Sequence, residues 1–154
     1  HKVSTSVNKL IELETKEKLD QPETIKSFAT KIKKLKNELG NILTNYKNQG
    51  KTIAGFGAAR SGTTLITQMG IGKLLDFIVD DSPEKQGKFT PGDHILVKST
   101  NAIYEKKPDY LFILAWVHAK KIIENNKRYL DEGGHFIICF PEVRIIGKKE
   151  ITEI

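Results

Sequence analysis

The run Gly55-Phe56-Gly57-Ala58-Ala59-Arg60-Ser61-Gly62-Thr63-Thr64 constrains the fold more than any other stretch of the chain. It follows a short apolar segment, Lys51 to Phe56, and leads into Thr64, Leu65, Ile66 and Met69, a helical pattern that stops near Gly70. LLDFIVDD then reads as a second strand through Asp81, so the unit is strand, tight turn, helix, strand. Glycines at such a turn let the backbone approach a ligand closely, and the first amides of the following helix point at whatever anion sits there. They equally allow a helix to pack tightly on a sheet, so phosphate binding and packing both stay open. Spacing excludes two fingerprints. After Gly55-x-Gly57 the next glycine is Gly62, which is not the dinucleotide pattern G-x-G-x-x-G. Gly57, four residues and Gly62 match a P-loop, but Thr63 stands where its lysine belongs, so triphosphate hydrolysis is not expected.

Downstream, SPEKQGKFTPGDH is polar and punctuated by Pro83, Gly87, Pro91 and Gly92, a loop before a short strand at Ile95 to Val97. A helical turn is expected at Asn101 to Lys106. YLFILAW is apolar on both alternating faces, which suits a central parallel strand. Ala119 to Leu130 reads as one helix stopped by Gly133-Gly134, HFIICF as a further strand, and VRII and EITEI as an edge strand or hairpin. Upstream, Ile25, Phe28, Ala29, Ile32, Leu35, Leu39, Ile42, Leu43 and Tyr46 recur at three- and four-residue spacing, with lysines taking most places between. This predicts a long amphipathic helix beginning near Gln21 or Pro22, capped by the Asp20 carboxylate and stopped at Gly50. Before it, KVSTSV alternates like a strand and NKLIELETKEKL fits a strand or a short helix. The alternation of strands and helices makes an α/β fold the economical solution: an open, mostly parallel sheet with helices on both faces, preceded by the long helix.

The 154 residues, 38% hydrophobic and 29% charged, are those of one globular unit rather than a disordered or fibrous chain. They are few for a complete two-domain enzyme, so a module of a larger protein is expected. LFILAWV is far too short to span a bilayer, and membrane association is not expected. Lys and Arg total 25 against 19 Asp and Glu, a net charge of +6 that favours anionic partners. Arg60, Arg128 and Arg144 are the only arginines, and bases are read largely by the guanidinium fork, so nucleic acid is not the expected partner. Cys139 is the single cysteine, in an apolar run, which fits a reducing, cytoplasmic setting. His1, His94, His118 and His135 are dispersed, and no metal site is expected.

Side chains expected at the carboxyl edge of the sheet complete the candidate site. Asp80 closes the second strand about 25 residues after Gly55, where an acid can accept hydrogen bonds from ribose or sugar hydroxyls. An ordinary Asx turn before Pro83 is the alternative. Lys85 and Gln86 can reach a phosphate or a hydroxyl if their loop folds over the edge; otherwise they are solvated. Trp116 and His118 follow the LFILA strand. The indole could stack on a base or sugar or fill an interdomain seam, and the imidazole could bond a phosphate or cap a helix. No spaced carboxylate orients His118, so no catalytic residue is assigned.

Four ordered blocks, GFGAARSGTTLITQMGI, VDDSPEKQGKFTPGDHI, PDYLFILAWVHAKKI and GGHFIICFP, resemble the C-terminal domain of the C-methyltransferase family that acts on nucleotide-linked deoxysugars. The resemblance implies a Rossmann-like three-layer fold. It also implies a three-part parent, with a zinc-binding domain and an S-adenosylmethionine-dependent methyltransferase domain beside this one. The present chain resembles only the last part, divided as a lead-in over 1–20 and the domain over 21–154, with the long helix at 21–49, the sheet core at 51–140 and edge strands at 143–154. The implied partners are a nucleotide diphosphate-sugar and the catalytic domain; the implied cofactor, S-adenosylmethionine, belongs to the full-length enzyme and not to this domain alone. By the same resemblance Gly55, Gly57, Ala58, Arg60, Ser61, Gly62, Thr63 and Thr64 would face substrate phosphates, and Asp80, Lys85, Gln86 and Gly87 the sugar or nucleotide. Pro91 to Ile95, with His94, matches a PGTHIPI-like turn, and Trp116 the tryptophan of an AWN motif. Ala59-Arg60-Ser61 departs from the family's P-A-K, Val117 from its asparagine and Lys121 from its acid. Those departures keep a scaffold or protein-interaction domain as an alternative, beside a nucleotide-binding oxidoreductase fragment.

Overall fold

A computed structural model of the chain describes residues 3–149, so His1 and the EITEI run, 150–154, lie outside the described residues. The chain forms two compact units, 1–34 and 35–154, and the division falls inside the long helix.

In the first unit, Thr5–Lys16 is helical (α1), and the strand-like alternation of KVSTSV is overridden because TSV continues directly into NKLIELETK. None of the α1 residues is buried, and Leu10, Ile11 and Leu13 are exposed. The long helix runs Pro22–Asn48 (α2), starting at the proline, whose missing N–H costs nothing at a first helical position. Asp20 accepts a hydrogen bond from the Gln21 side-chain amide at 3.1 Å, in place of the expected bond from a helix amide. Of the apolar stripe, Ile25 and Phe28 are exposed, whereas Leu35, Leu39 and Leu43, on the part of α2 in the second unit, are buried.

The second unit is a six-stranded sheet. In chain order its elements are β1 (Ile53–Phe56), α3 (Arg60–Met69), β2 (Phe77–Val79), β3 (Val97–Lys98), α4 (Ala102–Lys106), β4 (Tyr110–Ile113), α5 (Ala119–Asn125), α6 (Lys127–Asp131), β5 (His135–Ile138) and β6 (Arg144–Ile146). The spatial order is β3-β2-β1-β4-β5-β6, parallel throughout except for β6, which pairs antiparallel with β5. This is the Rossmann-like order. Strand order reverses between β1 and β4, and the crevice beyond the carboxyl ends of those two strands is where such sheets bind ligands.

Alternation along the strands separates two faces. Ala54, Phe56, Leu111, Ile113 and Phe136 share one core cluster with Ile122 and Ile123 of α5 and Leu130 of α6. Ile53, Ile78, Phe112 and Ile137 alternate with these, each buried. Gly55 lies on this second face with α3: a Cβ there would stand 2.7 Å from Leu114 Cδ1, and one on Gly62 of α3 would stand 3.2 Å from Leu114 Cβ. The helix expected over Ala119 to Leu130 is broken at Asn126 into α5 and α6. Its side-chain amide donates to the Ile122 carbonyl at 2.8 Å and its oxygen accepts from Tyr104, a local side-chain bond that competes with the helical ladder.

Two aspartates seal the amino edge. Asp76 accepts from the Ile53 amide at 2.8 Å and from Lys47 at 2.7 Å. Asp109 accepts from the Thr52 amide, the Thr52 hydroxyl and Lys51, each at 2.9 Å. Burial by itself would raise the Asp109 carboxyl, but the Thr52 and Lys51 donors outweigh it and hold it down at about 2.

Candidate functional site

At the carboxyl edge, β1 ends in a turn that only glycine suits. Gly57 sits at φ +100°, and a Cβ on it would be 2.7 Å from the Ala115 Cβ, so the β1 turn and the segment after β4 meet at van der Waals distance. Its amide donates to the Val79 carbonyl at 2.8 Å, tying the turn to β2. α3 begins directly afterwards with Ala59 at the N-cap and no side-chain cap, so its first amides, which have no intrahelical acceptor, face outward from the turn. Packing thus makes direct demands on Gly55, Gly57 and Gly62, and the same close approach leaves a helix N-terminus open at the switch point.

Asp80 does not stand ready for a hydroxyl. It is 6% exposed, and its carboxylate receives the Ala58 amide at 2.7 Å, the Ser82 amide at 2.9 Å and the Lys85 ammonium at 3.0 Å and 3.2 Å. Those four contacts use the acceptor positions a carboxylate has. The Ser82 bond is the Asx turn weighed from the sequence, and the Ala58 bond clamps the glycine turn. Gln86 joins the clamp through a bond from its side-chain amide to the Asp80 carbonyl at 3.0 Å. Asp80, Lys85 and Gln86 are therefore brought together, chiefly with one another.

Around this clamp lie two concavities. The larger, about 520 Å³, is lined by Gly57, Asp80, Lys85 and His118, and also by Lys121, Thr100, Asn125 and Asn126. The smaller, about 340 Å³, takes in Ala58, Thr63, Lys85, Lys88 and Phe89. Lys85 lines both. Of the other expected residues, Arg60, Ser61 and Thr64 are exposed on the first turns of α3, and the Thr64 hydroxyl donates to the Arg60 carbonyl. The Gly87 amide donates to the Val97 carbonyl, a purely structural bond. His94, at φ 52°, and Trp116 line neither concavity; Trp116 instead meets Phe140 edge-on at 5.2 Å.

Thr100, Asn125 and Asn126 escaped the sequence reading. Thr100 lies two residues past β3, so strand order alone would have placed it at this edge, and the Asn125-Asn126 pair inside an otherwise helical pattern was a visible irregularity. Lys121, noted only as a departure from the family pattern, contributes a cation to the larger concavity. Cys139 is fully buried and burial pushes its thiol up to about 12, which leaves it no nucleophilic role at neutral pH. Among the described residues no cluster of His, Cys, Asp or Glu is grouped to hold a metal ion, and no helix is long and apolar enough to cross a membrane.

Comparison with known proteins adds context to this geometry. A family model for the C-methyltransferase C-terminal domain matches residues 1–141. The C-methyltransferase NovU of Streptomyces niveus is 33% identical over 148 residues, covering 96% of this chain and 35% of that protein. The chain therefore spans about a third of the length of that relative. Among solved structures, UDP-D-quinovosamine 4-dehydrogenase from Vibrio fischeri superposes with a TM-score of 0.45 at 15% identity, over 66% of this chain and 97% of that one. The fold assignment rests on the strand order and pairing described above.

Proposed function

The chain belongs to the C-methyltransferase C-terminal domain family, and from that premise we propose that it is the nucleotide-sugar-binding module of an S-adenosylmethionine-dependent sugar C-methyltransferase. It holds the substrate while a separate catalytic domain carries out methyl transfer. The observation that carries this reading is the concavity of about 520 Å³ at the β1/β4 switch point, beside an uncapped helix N-terminus and with Lys121 and His118 on its wall. A diphosphate fits that electrostatic setting, because the helix dipole and an ammonium both favour negative charge. Thr100 and Asn125 add hydroxyl and amide groups of the kind that hydrogen-bond sugar hydroxyls.

S-adenosylmethionine would supply the electrophilic methyl group, and we place it in the catalytic domain. In a Rossmann-like site the acid at the end of β2 holds ribose hydroxyls; here Asp80 is occupied by Ala58, Ser82 and Lys85. The same occupancy weighs against a nicotinamide dinucleotide and hence against an oxidoreductase fragment. The work left to this chain is binding and orientation: its cations offset the diphosphate charge and its rigid turn fixes the ligand relative to the sheet.

Titration calorimetry of the chain with a uridine or thymidine diphosphate-sugar, S-adenosylmethionine and a nicotinamide dinucleotide tests the reading. Binding of the sugar nucleotide, weakened by Lys121→Glu, is the expected outcome. Preference for either of the other two ligands overturns it, and absence of all binding by the chain and by the chain joined to its catalytic domain leaves a scaffold.

A further inference from the structure

The smaller concavity has no part in the site as proposed so far, yet its chemistry is distinctive. Phe89 is 64% exposed although its backbone is held firmly. The loop around it is stapled as a small antiparallel ladder: Val97 donates to the Lys88 carbonyl at 2.8 Å, Gly87 to Val97 at 2.8 Å and Thr90 to Ile95 at 2.9 Å, with Phe89 bridged to Leu96. Thr90, next along the ladder, is buried and its hydroxyl accepts from the Ile95 amide. Successive side chains on such a ladder point to opposite sides. Phe89 therefore stands outward on a pre-ordered support, and presenting its ring to a ligand requires no further ordering of backbone.

Its surroundings discriminate between occupants. Within the same concavity of about 340 Å³ lie two lysines, Lys85 and Lys88, against one acid, Glu84, together with Thr63 and with Ala58 of the turn that leads into α3. Lys85 is paired with Asp80, whereas Lys88 has no ion-pair partner among the described residues. An aromatic face beside an ammonium that is in no ion pair, at the side of a helix N-terminus, suits a planar π-system attached to an anion. The larger concavity takes in Gly57 and Ala59 of the same turn and offers hydroxyl and amide groups; its exposed ring is the His118 imidazole, and it has no exposed phenyl or indole face.

We infer that the nucleotide-sugar lies across the α3 N-terminus in one direction: its base stacks on Phe89 in the smaller concavity, its diphosphate crosses the turn near Lys85, and its hexose occupies the larger concavity beside Asn125. This inference rests on the function proposed above and adds which end of the ligand goes where. It also assigns Phe89 and Lys88 to the binding surface, which neither motif spacing nor family resemblance had singled out.

The test separates the two ends of the ligand. Calorimetry is run with uridine diphosphate, a hexose 1-phosphate and the intact uridine diphosphate-hexose, on the wild-type chain, Phe89→Ala, Phe89→Trp and Asn125→Ala. Loss of one base-stacking contact is expected to weaken uridine diphosphate binding by roughly tenfold in Phe89→Ala, to leave hexose 1-phosphate unchanged, and to be reversed in Phe89→Trp. Asn125→Ala should weaken the hexose 1-phosphate and spare uridine diphosphate. Circular dichroism melts check that each variant is folded, which the exposure of both side chains favours. If the intact ligand binds but Phe89→Ala leaves uridine diphosphate affinity unchanged, or the two variants exchange their effects, the orientation is wrong and the proposed function stands. If neither the wild-type chain nor the chain joined to its catalytic domain binds any of the three, the function and the orientation fall together.

Discussion

The two edges of the sheet use one device and put it to different ends. At the amino edge, Asp76 and Asp109 each accept a backbone amide and a lysine, from Ile53 and Lys47 and from Thr52 and Lys51. At the carboxyl edge Asp80 does the same with Ala58, Ser82 and Lys85. The amino-edge carboxylates are about a third exposed, at 37% and 36% of their side chains, while that of Asp80 is 8% exposed. An exposed clasp closes the ends of β1 and β4 and leaves solvent outside. A buried clasp, next to glycines that keep side chains away, holds a turn beside two concavities that share Lys85. The contrast teaches that an acid at the end of a strand is not itself the mark of a ligand site; what distinguishes the carboxyl edge is the space beside the clasp.

Mutation can break this contrast, and the largest effect is expected at the turn. Gly57→Ala places a Cβ at φ +100° and 2.7 Å from that of Ala115, and should lower stability by about 2–4 kcal/mol in urea unfolding. An unchanged unfolding midpoint would show that the close approach is not what builds the edge. Next, Asp80→Ala leaves two amides without acceptors and Lys85 without its counter-charge, a loss of about 3 kcal/mol. Asp109→Ala should cost less, about 1–2 kcal/mol, because water reaches its donors. Equal losses at the two sites would erase the distinction between buried and exposed clasps.

Acid titration sharpens the same comparison. The Asp109 carboxyl is held at about 2 in the folded chain, below the value of about 4 it has when unfolded. The unfolded state thus binds the proton first as pH falls, and the stabilisation is complete above pH 4, declining between about pH 4 and 2. Asp109→Asn should flatten that part of the stability curve, as measured by urea midpoints; an unaltered slope would remove Asp109 as its source. The smallest stability effect belongs to Lys121→Glu, within about 0.5 kcal/mol of wild type because the side chain is exposed. Its affinity for a nucleotide diphosphate-sugar should nonetheless fall by roughly tenfold, since reversing a charge beside a diphosphate costs on the order of 1.4 kcal/mol.

Much of the fold was legible because it depends on short-range patterns. YLFILAW marked a strand covered on both faces; β4 takes its first four residues, Tyr110–Ile113, and the chain then turns, with Trp116 in a 3-10 turn. The glycine turn marked the end of β1 and the start of α3, with Gly70 in the left-handed conformation closing that helix. Patterns that rely on longer-range partners were less legible. The Asn125-Asn126 pair is a local irregularity, but nothing local signals that Asn126 would accept a bond from Tyr104, 22 residues away. The site followed the same division. Gly57, Asp80, Lys85 and His118 were found from position after a strand, whereas Thr100 and Asn125 come to the larger concavity only through the sheet order.

The sequence by itself determined where the chain must turn, which segments must be covered on both faces, and that its family is one of C-methyltransferase C-terminal domains. The first two follow from alternation and glycine placement, properties of neighbouring residues; the family rests on resemblance across four ordered blocks and on the family match. Only the tertiary structure decided which groups the acidic and basic side chains meet. Whether Asp80 faces a ligand or an amide depends on a bond across 22 residues to Ala58, and whether Phe89 is core or surface depends on which side of a loop ladder it occupies. Both outcomes are set by the packing of distant segments, so a carboxylate with the spacing of a ribose acceptor became a structural clasp, and a phenylalanine in a polar loop became a candidate base platform.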